Sequence, residues 1–261
     1  MAIMPDKRFV CSAKSVMLLT GLITAPQLMA DTFTYTPPTE PWLDILYQDK
    51  DIIVLNKPSG LLTNPGRAPH LADCLLSRVQ AEFALAQLVH RLDLSTSGVV
   101  VIALRRKAER ELKRQFAERL VKKRYLAVVA GQPAASQGSI DLPLAVDTDH
   151  APRQKVCSQT GKAALTHYRV LQPLATASLL ELRPVTGRSH QLRVHMLALG
   201  HPILGDAFYA SPHVQAAAPR LLLHAASLQL QHPYSGKTLE FNADTDFVAA
   251  NGSLSWPTDN F

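Results

Sequence analysis

A polar segment that runs directly into an apolar one constrains the fold of this chain more than any other feature. Residues 90–98 (HRLDLSTSG) carry a cation, a carboxylate and three hydroxyls, whereas residues 99–104 (VVVIAL) are wholly apolar and include four β-branched side chains. A continuous apolar run of this kind predicts a strand that is buried on both faces. Gly98, at the junction, allows the backbone to turn into that strand.

Asp93 is the carboxylate of the polar segment, and its surroundings allow two interpretations. A carboxylate beside a buried strand is costly unless it is paired or hydrogen-bonded, and Arg91 and the hydroxyls of residues 95–97 are close enough in sequence to do this. The first interpretation is therefore a fixed, ionised carboxylate at the mouth of a core strand. The second is an ordinary turn residue whose side chain bonds its own backbone.

The rest of the chain shows many strand patterns and few helical ones. With 261 residues, 47% of them hydrophobic and 18% charged, it can form a folded domain with a substantial core. Strands are predicted over residues 52–55, 99–104, 125–130, 164–171, 178–184, 221–230 and 238–241, and helices over residues 72–88, 108–120 and 190–199. This order favours an α+β fold, a single domain with a mixed, largely antiparallel central sheet flanked by helices.

The segment 105–124 is strongly basic, with ten cations against three acids and hence a net charge of +7, compared with +6 for the whole chain. Apolar residues recur there at every fourth position and predict one apolar helix face. That face consists of Ala108, Leu112, Phe116 and Leu120, and the cations of the opposite face include Arg110, Lys113 and Arg114. Such an imbalance of sign favours contacts with phosphate groups, and the alternative is a solvated surface helix.

Several cofactor signatures are missing from the sequence. There is no phosphate-binding GxxxxGK[ST] loop and no GxGxxG, so nothing supports a nucleotide cofactor. His190 and His195 lie five residues apart, which does not suit a pair of zinc ligands on one helix face. We therefore expect no cofactor and no metal, and chemistry carried by side chains such as Asp93.

Five short motifs, in the right order, carry a resemblance to a known family. HRLD at residues 90–93, followed by TSG at 96–98, resembles the signature of the RluA family of pseudouridine synthases. Further matches are NKPSGL at 56–61, KRY at 123–125, GRSHQLRVH at 187–195 leading into GHPILGD at 200–206, and LLHA at 222–225. The resemblance covers residues 37–247 and implies the pseudouridine synthase fold.

The resemblance also implies roles for individual residues. Asp93 would be the nucleophile, which attacks a uridine at its sugar or its base. Tyr125 would stack on the base and help to move the C5 proton, and Arg193 would pair with Asp93 and keep it ionised. Arg91 would fill the gap left by the flipped uridine. The other substrate-binding residues that we assign are His90, Thr96, Arg188 and His190, together with Arg110, Lys113 and Arg114 of the basic helix.

The implied function is isomerisation of uridine to pseudouridine in 23S rRNA and tRNA, by a monomer without a cofactor. One alternative is a non-catalytic RNA-binding protein with a degenerate synthase site, which the joint presence of Asp93, Tyr125 and Arg193 counts against. Another is a small-molecule hydrolase that uses a carboxylate, and the +7 segment argues against it.

The two ends of the chain are expected to lie outside the catalytic domain. Residues 1–28 have the layout of a signal peptide, with basic residues before a short apolar run that is too short for a convincing transmembrane helix. We favour the alternative that translation starts at Met29 and that residues 1–28 are an upstream extension. Residues 29–247 would be the catalytic domain and 248–261 a disordered tail. The three cysteines form no pair or framework, which indicates a reducing, cytoplasmic compartment.

Overall fold

The computed structural model of the protein describes residues 34–248, in which strands predominate. The predicted leader and residues 249–261 of the predicted tail lie outside these residues. The strands are β1 (Ile45–Gln48), β2 (Ile52–Lys57), β3 (Gln87–Leu88), β4 (Ser97–Ala103), β5 (Lys122–Ala130), β6 (Gln137–Asp141), β7 (Leu144–Val146), β8 (Gln154–Val156), β9 (Leu165–Pro173), β10 (Ala177–Pro184), β11 (Leu223–Gln231) and β12 (Thr238–Asn242). The α-helices are α1 (Leu75–Gln80), α2 (Arg106–Ala117), α3 (Gln191–Ala198) and α4 (Pro212–Ala216).

Ten of these strands form one mixed sheet. Its order is β1-β2-β4-β11-β5-β10-β9-β6, with β3 paired to β4 and β12 paired to β11, while β7 and β8 form a separate hairpin. Within residues 34–248 every strand pair is antiparallel except β4 with β11. The predicted α+β class with a mixed, largely antiparallel sheet is therefore confirmed. No helix in the same range is long and apolar enough to cross a membrane.

The central strand β4 is buried along its whole length because helices cover both of its faces. Val101 packs in a cluster with Leu112 of α2, whereas Val100 packs in another with Val79 of α1. The two-sided burial predicted from the apolar run is correct. Because β4 is buried in this way, the polar segment that precedes it lies next to the core.

Gly98 is required where β4 meets β11. Its φ of +111° lies in a region that side-chain-bearing residues rarely adopt. Its Cα pairs with that of Ala225 in parallel register, and a Cβ at position 98 would lie 2.3 Å from the backbone oxygen of Ala225. The glycine therefore permits both the turn and the close approach of the two strands.

The helix predicted over residues 72–88 is shorter than expected. It is replaced by α1 and, after a turn, by β3, which pairs with Ala103 and Ile102 of β4. The Gln80 side chain donates to the carbonyl of Ala86 at 2.9 Å and closes the intervening turn. β4 contacts β11 only at its start, so the edge of its last residues is available to β3. Pairing with this edge overrides the helical propensity of the alanines and leucines in residues 72–88.

The basic helix also ends earlier than predicted. Arg119 adopts a left-handed conformation with φ of +61°, just after the last turn of α2, which terminates the helix. Leu120 is 48% exposed and does not belong to the apolar face. Lys123 and its neighbours therefore lie on β5 rather than on the helix.

Phe247, the last residue of the predicted domain, is buried at 2% exposure and packs in a cluster with Val128 and Leu222. Val248 packs against the same cluster. The described chain thus remains part of the core up to its end.

Candidate active site

Asp93 lies in the segment between β3 and β4. The amide of Thr96 donates to the backbone carbonyl of Asp93 at 3.1 Å, so the residue does begin a turn. Its carboxylate is 24% exposed and lines a pocket. The two sequence interpretations therefore describe different parts of the same residue, because the backbone makes the turn and the side chain faces the pocket.

The connection between β2 and α1 fixes the backbone on both sides of Asp93. The Lys57 ammonium and the Gly60 amide donate to the Leu94 carbonyl at 3.1 and 2.9 Å. The Thr63 hydroxyl donates to the Leu92 carbonyl at 2.7 Å. These bonds hold the peptide groups beside Asp93, so its side chain leaves the backbone from a defined position.

The hydroxyls after Asp93 do not hold its carboxylate in the way that we expected. The Ser97 hydroxyl instead lies 2.9 Å from Nδ1 of His224, across the β4–β11 contact. Thr96 is buried in the pocket wall. The parallel pairing of β4 with β11 draws Ser97 away, which the local sequence could not show.

Arg193 of α3 is the nearest cation to the carboxylate, but its main partner is a different acid. Its Nη1 lies 3.5 Å from Oδ2 of Asp93, whereas Nε and Nη2 lie 2.8 and 2.6 Å from the two oxygens of Asp206. The predicted pair with Asp93 is thus the weaker of two contacts. Burial opposes the charge of Arg193, but the hydrogen bonds that it donates to the Asp206 carboxylate raise the pKa of Arg193 above the usual value. The guanidinium is therefore a permanent cation, fixed by Asp206 and presented to Asp93.

Tyr125 of β5 lines the same pocket as Asp93. Its ring packs between two core clusters, one around α1 and one around α3. Burial, and then the charge of Asp93, raises the pKa of its hydroxyl above the usual range. The phenol therefore stays protonated beside the carboxylate and offers a flat ring to the pocket.

Arg91, Arg188 and His190 also lie in the pocket wall. The two arginines are exposed at its mouth, where Arg91 donates to the hydroxyl of Ser189 at 3.3 Å and Arg188 to the carbonyl of Ala163 at 3.1 Å. The structure thus brings together the three predicted catalytic residues and four of the predicted binding residues.

His90 lies in an adjacent pocket and makes contacts typical of a structural residue. Its Nε2 accepts the amide of Val101 at 3.0 Å, and its ring stacks on Phe116 with 4.6 Å between centroids. Burial, and then the charge of Lys123, lowers its pKa to about 3. A neutral ring that holds β4 to α2 explains the residue better than contact with substrate does.

The cations of α2 line neither pocket, and two of them are paired with acids of the same helix. Lys113 lies 2.7 Å from Glu109, and Arg114 lies 2.6 Å from Glu111. Arg110 is exposed. The local surplus of positive charge is therefore partly neutralised on the helix surface.

Comparison with known proteins identifies the family to which this fold and site belong. The dual-specificity RNA pseudouridine synthase RluA of Escherichia coli (strain K12) is 57% identical over 214 residues, which are 82% of this chain and 98% of the relative. Residues 51–198 match the family described as RNA pseudouridylate synthase. The chain belongs to the RluA family of pseudouridine synthases.

Other relatives agree with this RluA-family assignment. The dual-specificity RNA pseudouridine synthase RluA of Haemophilus influenzae is 51% identical over 82% of this chain and 98% of its own. The solved structure of human RNA Pseudouridylate Synthase Domain Containing 1 matches with a TM-score of 0.66 and 31% identity, over 79% of this chain and 84% of that one. The predicted fold and the predicted activity, isomerisation of uridine to pseudouridine in RNA, are confirmed.

Several residues of this RluA-family site were not assigned from the sequence. Lys57 lies in the NKPSGL motif, Asp206 ends the GHPILGD motif, and Tyr209 follows Asp206 by three residues. Lys123 donates to the carbonyl of Thr186 at 2.8 Å and lines the pocket. Burial, and then Arg119, lowers the pKa of Lys123 to about 8. The sequence signal that could have identified Lys57, Lys123 and Asp206 is a charged residue within a motif that resembles the family.

One grouping of possible metal ligands occurs within residues 34–248, formed by Asp49, Asp51 and His232. It lies at the opposite end of β2 from Lys57, roughly 20 Å away by the rise of a strand. The Nδ1 of His232 accepts the amide of Tyr234, so its proton lies on Nε2 and is donated to Asp49 at 2.8 Å. In this tautomer the only ring lone pair is on Nδ1, where it already accepts from the amides of Tyr234 and Ser235.

Proposed function

We propose that this RluA-family enzyme isomerises uridines in both large-subunit rRNA and tRNA, with Asp93 as the nucleophile. The observation that carries this proposal is the position of the Asp93 carboxylate, held in a pocket between a protonated phenol and a fixed guanidinium. The relatives that are more than 50% identical to this chain are named as dual-specificity RNA pseudouridine synthases, which supports two classes of RNA substrate.

The pocket suits a nucleotide that has left its stack. A glycosidic bond within stacked RNA cannot be reached, so the base must be extruded at a cost of a few kcal/mol. The exposed guanidinium of Arg91 lies at the pocket mouth, where it would stack in the vacated position and offset part of that cost. Cations of Lys123 and Arg188 in the pocket wall would bind the neighbouring phosphates.

The reaction requires only side-chain chemistry. The carboxylate attacks the uridine at its sugar or its base, the bond from N1 to C1′ breaks, the base turns, and C5 bonds to C1′; the bond between Asp93 and the substrate breaks again, which returns the free carboxylate. The proton from C5 is lost and N1 gains one, so atoms and electrons balance without an oxidant or a cofactor. The Arg193 guanidinium, 3.5 Å from Asp93, attracts the negative charge of the attacking carboxylate. Tyr125 covers the uracil ring and stays close to the proton that moves.

The direct test maps pseudouridine in unmodified 23S rRNA and tRNA transcripts after incubation with the purified protein. We expect product at specific uridines in both RNAs. Asp93→Asn should abolish turnover and change RNA affinity by less than about threefold, because affinity comes mainly from phosphate contacts. Asp141→Asn, which alters an exposed carboxylate on β6, is the matched control and should retain full turnover.

The possible results separate the hypotheses. Turnover near the wild-type rate by Asp93→Asn removes this residue from the mechanism. Product in only one RNA class contradicts dual specificity, and tight binding without any product supports the degenerate-site alternative. We further propose that the enzyme is monomeric and cytoplasmic, which sedimentation and cell fractionation can test.

A further inference from the structure

Tyr209 connects the β7–β8 hairpin to the residues around Asp93. Its hydroxyl oxygen accepts the amide of Gln154 at 2.8 Å and lies 2.7 Å from Nδ1 of His190. Its ring meets the His190 ring edge-on at 5.6 Å, and the Arg193 guanidinium lies 5.1 Å from its centroid. Tyr209 therefore contacts both of the side chains that approach the carboxylate.

The hydrogen bonds at Tyr209 have one consistent direction. A backbone amide only donates, so the Tyr209 oxygen is the acceptor towards Gln154. The only other hydrogen-bond partner of this hydroxyl among the described residues is Nδ1 of His190, so we assign the Tyr209 proton to that bond. Burial raises the pKa of Tyr209, so the hydroxyl keeps this proton. Burial also lowers the pKa of His190, against the opposing charge of Asp93, so the imidazole is neutral. A neutral ring that accepts at Nδ1 carries its single proton on Nε2.

The protonated nitrogen of His190 faces the carboxylate. Nε2 lies 3.9 Å from Oδ2 of Asp93, the same oxygen that Nη1 of Arg193 approaches at 3.5 Å. Among the described residues no group makes a comparable contact with Oδ1. The backbone of His190 has a φ of +53°, an uncommon value for a residue with a side chain, and it aims the ring into the pocket.

We propose that Tyr209 is a positioning residue that fixes His190 as its Nε2–H tautomer. His190 and Arg193 then hold one oxygen of Asp93 and leave the other free to attack the uridine. The assignment rests on the proposed role of Asp93 as the nucleophile. Without the Tyr209 hydroxyl the imidazole can place its proton on Nδ1, and a lone pair then faces the carboxylate.

The tautomer can be measured without any RNA. Protein labelled with ¹⁵N-histidine gives distinct nitrogen shifts for the two neutral forms, and His190→Gln identifies the His190 signals by their loss. We expect the Nε2–H form in the wild type and an increased Nδ1–H population in Tyr209→Phe. Tyr47→Phe, which removes a hydroxyl bonded to Asp49, is the matched control and should leave the His190 signals unchanged.

Kinetics on the same variants test the consequence for the reaction. Tyr209→Phe keeps the ring beside Arg193 and should lower kcat about tenfold, with KM for RNA changed less than about twofold. His190→Gln places an amide donor near the position of Nε2, so its donor does not depend on a tautomer. In the His190→Gln background, Tyr209→Phe should therefore lower kcat less than about twofold.

The proposal is wrong if wild-type His190 is protonated on Nδ1, or if Tyr209→Phe keeps both the Nε2–H form and its full kcat. Equal losses from Tyr209→Phe in both backgrounds also overturn it, because the hydroxyl would then act independently of His190. If the wild type converts no uridine while His190 keeps the Nε2–H form, the proposed function fails and the tautomer assignment stands.

Discussion

Lys57 is a fully buried lysine whose ammonium bridges two parts of the active-site backbone. Its Nζ donates to the carbonyls of Pro58, Leu61 and Leu94 at 2.8, 2.7 and 3.1 Å. Burial lowers its pKa to about 7, and the nearby charge of Asp93 acts in the opposite direction. Three carbonyl acceptors match the three N–H groups of an ammonium, so the surroundings favour the charged form that burial opposes.

Lys57→Met should therefore damage both stability and catalysis. The substitution leaves three carbonyls without their donor, and we expect the free energy of unfolding to fall by about 3 kcal/mol. Because the Leu94 carbonyl directly follows Asp93, single-turnover rates should also fall. Urea denaturation and rapid quench experiments measure the two effects. Lys237→Met, at an exposed site, is the control, and equal stability of the two variants would contradict the role given to Lys57.

The residues of the site differ in how well they could be predicted from the sequence. Asp93, Tyr125 and Arg193 belong to contiguous motifs, and the fold does bring them together. The partner of Arg193 could not be predicted, because many carboxylates are available to one arginine and only packing selects Asp206. Tyr209 gave no signal either, since its function depends on a hydrogen bond from a separate hairpin.

At the scale of elements, α2 shows how a charge count can mislead. Its cations were predicted to face phosphates, but Lys113 is paired with Glu109, which is buried, and Arg114 is paired with Glu111. Pairs at this spacing stabilise a helix by a few tenths of a kcal/mol. The free positive charge of α2 is therefore smaller than the sequence suggests.

The proposed contact of α2 with RNA can be tested by removing its charge. The combined change Arg110→Gln, Lys113→Gln and Arg114→Gln avoids new repulsion with the glutamates, and circular dichroism checks that the helix persists. We expect weaker binding to all RNAs alike, and a salt slope that is shallower by about 0.7–0.9 for each lost phosphate contact. Lys50→Gln with Lys237→Gln serves as the control. Coincident salt slopes for the wild type and the α2 variant would place α2 away from the RNA.

Elements whose position depends on burial were predicted correctly from the sequence. Elements whose position depends on pairing between distant strands were not. The strands predicted over residues 164–171 and 178–184 are confirmed as β9 and β10, which pair with each other. The helix predicted over residues 72–88 forms only at Leu75–Gln80, because residues 87–88 pair with the edge of β4, and nothing local to that segment reveals this edge. The end of α2 depends on the left-handed conformation of Arg119. A glycine at this position would have predicted the helix end, but an arginine does not.

At the scale of the whole molecule, histidines that burial keeps neutral make the fold sensitive to acid, and the pKa is lowered most at His90 and His224. Burial lowers the pKa of His90 to about 3 and that of His224 to about 4, whereas an unfolded histidine titrates near 6.5. His224 is held by the Ser97 hydroxyl and by the carbonyl of Ala243, which it contacts at 2.9 and 3.1 Å. Between about pH 6.5 and 4 the unfolded chain thus binds more protons than the folded one.

The free energy of unfolding should consequently fall as the pH is lowered through this range. At His90 and His224 the unfolded state gains up to two extra protons, which contribute up to about 2.7 kcal/mol per pH unit to the slope, with stability higher at the higher pH. Urea denaturation between pH 5 and 7 measures it. His224→Gln should reduce the slope by up to about 1.4 kcal/mol per pH unit, whereas His70→Gln, at an exposed site, should leave it unchanged. An unaltered slope in His224→Gln would exclude His224 as its source.

The position of β11 dictates when the pocket can exist during synthesis of the chain. Ala225 pairs on one side with Gly98, next to the Asp93 segment, and on the other side with Tyr125. The strand that separates β4 from β5 is thus made about a hundred residues after them, and its contacts are highly non-local. In a nascent chain that still lacks β11, Asp93, the proposed nucleophile, lies just before β4 and Tyr125 lies on β5, and these two strands are not yet joined into one sheet. Such a chain cannot act on the ribosomal RNA beside it, and catalytic competence arrives only with the last strands of the domain.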